Sequence, residues 1–411
     1  MQLKKIGMAL TAASTIAVLG AACSSSNKSS TATTAAATTT GGSSTTTASA
    51  APLSVSSFTN DYSAMAQLKS VAAAGSGLIG VLLPDTTTSA RYVQYDAPDL
   101  TKAFLAAGLT NAQFKIDNAQ GSASTMQTQA EADITEGAKV LLLDALDSGS
   151  GAAIEANAAA KGVKVIDYDR LVLGGTAGRT YVSFDNVRVG TLIGQGEVTC
   201  ISAWSVKSPA NILVMDGDPT DNNAKLFAQG YNGVLAASFS NGTYVKVGEP
   251  AGTWTPAKAQ TIFAQQYTAH PNINAVVTPN DDNANAVIAY LQGKSIPAKT
   301  FPTTGQDASP VGLQNILKGY QCGTVYKPIY LEAQAAAAIA IYDRAGQTAP
   351  SGLINGTTED SQANAAIQSS LQVPIWVTTA NMAQTVVKDG WAKPSTLCAG
   401  LAAACAALGI S

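Results

Sequence analysis

Charged, amide and aromatic side chains recur just after short apolar segments along this chain of 411 residues. Carboxylates and amides accept hydrogen bonds, Arg donates several, and an aromatic face packs on apolar C–H groups. A set with both charge signs and two rings favours a neutral ligand rich in hydroxyl groups, since a charged ligand would need one dominant sign. The side chains are those of Arg91, Tyr92, Asp169, Arg170, Asp221, Asn223, Trp254, Asn280 and Asp307.

The apolar segments between them predict how these side chains are brought together. Buried strands that alternate with helices are typical of parallel sheets covered on both faces. In doubly wound sheets, ligands bind beyond the carboxyl ends of the strands, so we expect one polar cleft between two α/β lobes. The predicted strands are 78–83, 112–116, 140–143, 163–168, 211–215, 244–248, 275–278, 300–305 and 374–378. The predicted helices are 95–107, 124–136, 150–161, 222–239, 256–269, 283–293, 310–319 and 331–346.

Composition excludes several classes of function. The chain has 24 Lys and Arg against 27 Asp and Glu, with no basic run that could neutralise phosphates, so we expect no nucleic-acid partner. The single histidine, His270, excludes sites that need several histidine ligands. Neither a hydrolase nucleophile elbow nor a P-loop is present. We therefore expect no metal ion, no cofactor and no catalytic residue.

The N-terminal residues have the pattern of an export signal. Two lysines precede an apolar stretch within 1–22, and Cys23 follows small residues as in a bacterial lipoprotein signal. In the next 28 residues, 24–51, all but two are Ser, Thr, Ala or Gly, a composition typical of a flexible linker. We expect a lipid-anchored protein on the outer face of the cytoplasmic membrane, with an ordinary cleaved signal peptide as the alternative.

Four cysteines remain after Cys23. An even number in an exported chain indicates two disulfides, for which three pairings exist. We favour Cys398–Cys405 within the C-terminal tail and Cys200–Cys322 across one lobe, and four buried free thiols are the alternative.

Six short motifs, in chain order, resemble the periplasmic pentose- and hexose-binding proteins of ABC importers, and most closely the xylose-binding members. The resemblance covers about Gly80 to Gly390 and implies their type I fold. The motifs are Tyr168-Asp-Arg170, Val182-Ser-Phe-Asp-Asn186, Asp221-Asn-Asn-Ala-Lys-Leu-Phe227, Asn280-Asp281, Gly305-Gln-Asp-Ala308 and Val325-Tyr-Lys-Pro-Ile329.

This resemblance implies two doubly wound parallel-sheet lobes joined by a three-strand hinge. We expect one lobe from 52–185 with 327–350, another from 186–326 with 351–395, and a tail at 396–411. The chain is expected to cross between the lobes near 184–186, 323–327 and 373–374.

The resemblance also implies a role for each candidate residue. The expected hydrogen-bonding contacts to the sugar are Arg91, Asp169, Arg170, Asp221, Asn223, Asn280, Asp307 and Lys327. Tyr92 and Trp254 are expected to stack on the sugar ring. Xylose-binding members have Trp beside the first Arg, so Tyr92 is a departure that bears on the choice between pentose and hexose. Alternatively, Asp221 and Asn280 are helix N-caps only, and Trp254 is a core residue.

The implied function is capture of a monosaccharide, D-xylose first, by a monomer that delivers it to an ABC permease and its ATPase. Ribose, arabinose, glucose or galactose are alternative ligands, and a sensory ligand-presenting subunit is an alternative use of the fold. A glycosidase with Asp221 and Asp307 as its paired acids is a further alternative. We expect Arg170 and Lys327 to keep both acids ionised, which disfavours it because a general acid needs a raised pKa.

Overall fold

A computed structural model of the chain describes residues 52–89 and 91–411. The predicted export signal at 1–22, the acylation site Cys23 and the linker at 24–51 lie outside the described residues. The described residues belong to one compact unit. Among their helices, none combines the length and apolar character needed to cross a bilayer.

Twelve strands and twelve α-helices alternate along the described residues. The strands are β1 (Leu78–Leu83), β2 (Phe114–Asn118), β3 (Ala138–Leu143), β4 (Lys164–Tyr168), β5 (Thr180–Phe184), β6 (Ala210–Val214), β7 (Tyr244–Gly248), β8 (Ala275–Val277), β9 (Thr324–Tyr326), β10 (Gly356–Asp360), β11 (Ala365–Gln372) and β12 (Ile375–Val377). The helices are α1 (Lys69–Ala74), α2 (Ala97–Ala106), α3 (Ala123–Thr135), α4 (Ser148–Ala160), α5 (Asn186–Ala203), α6 (Asn222–Ser240), α7 (Pro256–Ala269), α8 (Asp281–Gly293), α9 (Pro310–Lys318), α10 (Ile329–Arg344), α11 (Pro394–Leu397) and α12 (Ala402–Ala407).

The first lobe, residues 52–184 and 329–372, is built on a seven-stranded sheet. Its strand order is β10-β11-β5-β4-β3-β1-β2, and every neighbouring pair is parallel except β10–β11. Strand β1 is buried from Ile79 to Leu83, as expected for an apolar run covered on both faces. Helix α10 packs on this sheet beside α2, and its many alanines are buried there.

The second lobe, residues 186–326 and 375–411, repeats this winding. Strands β7, β6 and β8 form a parallel sheet, and β9 pairs antiparallel with β12. Single parallel bridges from Val276 to Thr303 and from Gln306 to Val325 connect the two parts. The predicted strand at 300–305 therefore lies at the expected place in the sheet but does not form a continuous ladder.

The hairpin β10–β11 corrects the predicted lobe boundary. The sequence-based boundary assigns 351–395 to the second lobe, whereas β11 pairs with β5 and places the hairpin in the first lobe. The buried carboxylate of Asp360 fixes it there, because it accepts hydrogen bonds from the Arg179 guanidinium at 2.8 Å and from the Gly174 amide. The apolar-run pattern misses β5, β9, β10 and β11, since Thr, Ser, Gln and Asp interrupt these strands.

Three connections join the lobes. They follow β5 at Asp185, β9 at residues 327–328 and β11 at residues 373–374, close to the predicted crossing positions. Two parallel-sheet lobes joined by three segments are the predicted architecture.

Two disulfides lie in the second lobe. They join Cys200 to Cys322 and Cys398 to Cys405, the pairing that the sequence analysis favours. The first connects the end of α5 to the segment before β9. The second closes the C-terminal segment, defined here as residues 378–411, which packs against α9 and buries Leu397 and Ile410. The tail that has no counterpart in the resemblance is thus part of a lobe core.

Glu197 on α5 is a buried acid outside the cleft. Its side chain is fully buried, and neither carboxylate oxygen has a hydrogen-bond partner among the described residues. Burial raises the pKa of Glu197 well above its ordinary value, because the charged form loses its hydration without gaining a partner.

Replacing Glu197 by Gln should stabilise the protein at about pH 8 and have little effect at about pH 4. The pKa of Glu197 is higher in the folded than in the unfolded state. The stability of the folded protein is therefore full below the unfolded-state pKa and falls as the pH rises through the folded-state pKa. Gln does not ionise, so the variant does not lose this stability. We expect a gain of at least about 1 kcal/mol in the free energy of unfolding at the higher pH, measured by urea unfolding. The same substitution at the exposed Glu131 is the control, and equal pH profiles for wild type and Glu197→Gln would contradict the prediction.

Candidate ligand-binding cleft

A narrow cavity lies between the two lobes, and side chains from both lobes line it. All ten residues predicted to contact a ligand line it: Arg91, Tyr92, Asp169, Arg170, Asp221, Asn223, Trp254, Asn280, Asp307 and Lys327. Four further residues line it that were not predicted: Thr88, Ser89, Phe227 and Gln306.

The lining residues converge because they follow the carboxyl ends of parallel strands. Asp169 and Arg170 follow β4, whereas Asp221 and Asn280 follow β6 and β8 and cap helices α6 and α8. The side chain of Asp221 accepts from the backbone N–H of Asn223 at 2.8 Å. The capping role and the cavity position therefore coexist, and the reading of these two residues as caps alone is incomplete.

The charges that line the cavity balance. Three cations and three carboxylates face it, namely Arg91, Arg170 and Lys327, and Asp169, Asp221 and Asp307. The Lys327 ammonium lies 3.2 Å from the Asp307 carboxylate and 3.8 Å from that of Asp169. Because neither sign dominates, the cavity favours an uncharged ligand with hydroxyl groups. Within the part of the chain that the structure describes, no group of three or more His, Cys, Asp or Glu side chains is placed to hold a metal ion.

Arg91 is held by three buried carboxylates. Its Nε and Nη2 donate to Asp96 at 2.9 and 2.7 Å. Its Nη1 donates to Asp169 at 2.8 Å, and Nη2 also donates to Glu332 on α10 at 2.9 Å. These bonds use four of the five guanidinium N–H groups, so one is left for a ligand. Asp96 and Glu332 were not predicted, since neither follows a strand and Glu332 is 241 residues from Arg91.

Arg170 is positioned by a hydroxyl that a tryptophan could not supply. Its Nη2 donates to the Tyr92 hydroxyl at 2.8 Å, and its Nε lies 3.3 Å from Asp221. An indole ring only donates, so the departure from Trp to Tyr92 provides an acceptor for this arginine. Behind it, the Asp144 carboxylate is fully buried 3.5 Å from Nε and has no hydrogen-bond partner among the described residues. Burial raises the pKa of Asp144, against the opposing effect of Arg170.

Asp169 contacts the second lobe through its backbone carbonyl. Its φ of 59° is left-handed, a conformation that non-glycine residues adopt only at a cost. The backbone carbonyl of Asp169 accepts from the hydroxyls of Tyr181 and Ser183 at 2.8 Å each. It also accepts from the side-chain amide of Asn223 at 2.9 Å. Burial acts to raise the pKa of Asp169, but Arg91 and Lys327 prevail and lower it, so this carboxylate is an ionised acceptor.

Asn223 belongs to the second lobe, and its side-chain amide donates to the Asp169 carbonyl of the first lobe. Its Oδ1 accepts from the Asn186 side-chain amide at 2.8 Å. With these bonds made, one N–H of the side-chain amide is left for a ligand. The predicted ligand residue is therefore also an interlobe contact.

Trp254 forms the aromatic wall in the second lobe. Its Nε1 donates to Asp221 at 3.0 Å, and its ring meets Phe227 edge to face at 6.4 Å between centroids. Gly217 packs directly on the indole, and a Cβ added there would overlap it. Phe227 could have been found from sequence, since it ends the motif that begins at Asp221.

Asp221 bears on the glycosidase alternative. Burial raises the pKa of Asp221 and outweighs the opposing effect of Arg170, so the expectation that Arg170 keeps it fully ionised is too simple. However, its oxygens accept from the Trp254 indole and the Asn223 backbone N–H, and one of them lies 3.3 Å from the Arg170 guanidinium. A proton on Asp221 would displace one of these donors, which makes it a poor general acid.

The chain is similar to known sugar-binding proteins. Residues 79–347 match the family model described as "Periplasmic binding protein domain". The D-xylose-binding periplasmic protein of Escherichia coli is 35% identical over 286 residues, which cover 69% of this chain and 82% of that protein. A multiple sugar-binding periplasmic protein of Azospirillum brasilense is 29% identical, over 82% of this chain and 98% of that protein.

A solved structure gives the same comparison in three dimensions. The carbohydrate transporter solute-binding protein of Chloroflexus aurantiacus, in complex with D-glucose, superimposes with a TM-score of 0.69. It is 26% identical and covers 78% of this chain and 98% of that chain. The predicted fold class is confirmed, and these relatives are solute-binding proteins rather than enzymes.

Gly217→Ala should displace the Trp254 ring, because the new methyl group and the indole cannot occupy the same space. We expect a changed near-UV circular dichroism and tryptophan emission as the bond to Asp221 is lost, and about tenfold weaker ligand binding. Gly233→Ala on α6 is the matched control, since nothing lies within 4 Å of its added Cβ. Spectra of Gly217→Ala identical to wild type would contradict this account of the aromatic wall.

Proposed function

We propose, since the chain belongs to the periplasmic binding proteins that bind sugars for ABC transporters, that it captures D-xylose between its lobes. In this proposal a monomer delivers the sugar to a membrane permease and its ATPase. The observation that carries the proposal is the cavity itself, into which both lobes direct hydrogen-bonding side chains of balanced charge. As a solute-binding protein, it is not an enzyme.

The choice of an aldopentose rests on similarity to known proteins. A relative named as D-xylose-binding supports this choice. A relative named as multiple sugar-binding and a glucose-bound structure make a hexose the alternative ligand.

We assign each lining residue a role in holding the sugar. The carboxylates of Asp169, Asp221 and Asp307 accept from sugar hydroxyls. The remaining N–H groups of Arg91, Arg170, Asn223, Asn280 and Lys327 donate to sugar oxygens. Trp254 stacks on the apolar C–H face of the ring, with Tyr92 on the other side of the cavity.

A thermal-shift panel of free pentoses and hexoses tests the ligand. A sugar at about 100 times its Kd stabilises the folded state by about 2.7 kcal/mol, so the true ligand should raise the melting temperature by several degrees. We expect D-xylose to give the largest shift. A larger shift with a hexose would replace the ligand, and no shift with any sugar would overturn the proposed function.

Asp307→Asn tests the site. The change keeps the shape but removes the charge that strengthens a hydrogen bond from a sugar hydroxyl, so we expect at least about tenfold weaker binding by calorimetry. The melting temperature without sugar should change little, because Asp307 keeps partial exposure at the cavity. Asp343→Asn on α10 is the control, since it removes a carboxylate that does not line the cavity. Equal affinity in wild type and Asp307→Asn would remove Asp307 from the site.

We also propose that Cys23 is acylated and anchors the mature protein outside the cytoplasmic membrane. In a bacterial host, wild type should enter the membrane fraction and incorporate labelled palmitate, whereas Cys23→Ser should do neither. Ser26→Ala is the control. Unlabelled wild-type protein would overturn the anchor without affecting the sugar site.

A further inference from the structure

Two aromatic rings from different lobes stack on each other beside the cavity. Tyr95 lies in a π-helical turn, Tyr92–Asp96, that precedes α2 in the first lobe. Trp391 lies in the C-terminal segment of the second lobe. Their ring centroids are 3.4 Å apart with an angle of 11° between the planes. An opening motion that moves the two lobes apart at this point would separate the rings.

Trp391 is fixed on its own lobe. Its Nε1 donates to the Ala308 carbonyl at 2.8 Å, and its ring meets Tyr326 edge to face at 5.2 Å between centroids. Asp389, two residues earlier, accepts from the Tyr326 hydroxyl of the same lobe at 3.3 Å and, across the lobes, from the Tyr330 hydroxyl on α10 at 3.2 Å. The ring is therefore presented by a rigid support.

The same ring contacts the backbone that carries a ligand residue. Asp307 and Ala308 have φ values of 88° and 47°, two consecutive non-glycine residues in the left-handed region. Such backbone persists only when its surroundings hold it. The bond from Trp391 to the Ala308 carbonyl is one such restraint, so Trp391 positions the Asp307 loop.

In the first lobe, Tyr95 connects the stack to Arg91, which lines the cavity. Tyr95 lies four residues after Arg91 and one before Asp96, whose carboxylate binds Arg91. Both stacked rings are only partly buried, and they border an interlobe groove lined by Gln94, Pro310 and Lys393. Both rings also pack against the apolar core of the second lobe, so far-UV circular dichroism must show that each variant keeps the fold.

We propose that Tyr95 and Trp391 form an interlobe latch that holds the cleft closed and slows release of the ligand. The identity of the ligand in this inference rests on the proposed function. The position of the stacked pair between the lobes does not depend on it. Loss of one stacked aromatic pair is expected to change the equilibrium between the open and closed cleft by about two- to tenfold. Because the pair forms only on closure, its loss affects the dissociation rate rather than the association rate.

Stopped-flow kinetics on the full folded protein, with the best sugar of the panel, test the latch. Tyr95→Ala and Trp391→Ala should each raise the dissociation rate about two- to tenfold, with the association rate unchanged. The double variant should be no faster than the faster single variant, since both changes remove one contact. Additive effects, or a dissociation rate in Tyr95→Ala equal to that of wild type, would overturn the latch.

Conservative variants separate the two roles of the pair. Tyr95→Phe keeps the ring and should restore the wild-type dissociation rate. Trp391→Phe keeps a ring but loses the N–H that holds Ala308, so it should weaken sugar binding through the Asp307 loop. Tyr267→Ala is the control, since Tyr267 stacks on Phe263 within the second lobe at 5.7 Å between centroids. An effect of the control equal to that of Tyr95→Ala would also overturn the latch.

A measurement without ligand distinguishes failure of the latch from failure of the proposed function. Spin labels on α3 and α7 report the distribution of distances between the lobes. The wild type should populate a short distance that Tyr95→Ala loses, even in the absence of sugar. If no sugar binds, the proposed function fails and these distributions alone decide the latch, which identical distributions would overturn.

Discussion

The attachment of Asp169 to both lobes is the interaction on which the rest of the cleft depends. Its carboxylate receives Arg91 from its own lobe, and its carbonyl receives Asn223 from the other. The left-handed backbone that turns the carbonyl toward Asn223 is tolerated because Tyr181 and Ser183 also donate to that oxygen. One residue thus presents a carboxylate to the cavity and contacts the second lobe.

Charge balance sets the kind of ligand that the cavity accepts. A buried ion is costly to remove from water unless a partner and hydrogen bonds replace its hydration. Each cation in the cavity has a carboxylate within reach, and Arg91 and Arg170 each have a further acid behind them in Glu332 and Asp144. The cavity therefore has no net charge that a ligand must neutralise. Its remaining hydrogen-bond donors and acceptors match the hydroxyl groups of an uncharged sugar.

Part of the fold and of the cleft could be predicted because it depends on local pattern. Apolar runs predicted β1 and β7 with the bounds they have, and the polar residues predicted at strand ends, such as Asp169 and Asn280, line the cavity. The hairpin β10–β11 was placed in the wrong lobe, since its polar strands carry no apolar signal. Asp360 and β5 decide its place through contacts that are remote in sequence.

The sequence by itself determined the residue types at the strand ends, the number of cysteines and the balance of charges. These are properties of single positions and short segments, and they suffice to predict two α/β lobes with a polar cleft. Only the tertiary structure decided which side chains hold the ligand residues: Asp96 and Glu332 around Arg91, Tyr92 on Arg170, and Trp391 on Ala308. Partners such as Arg91 and Glu332, 241 residues apart, meet only when the lobes fold and close, because no local periodicity encodes a contact of that range.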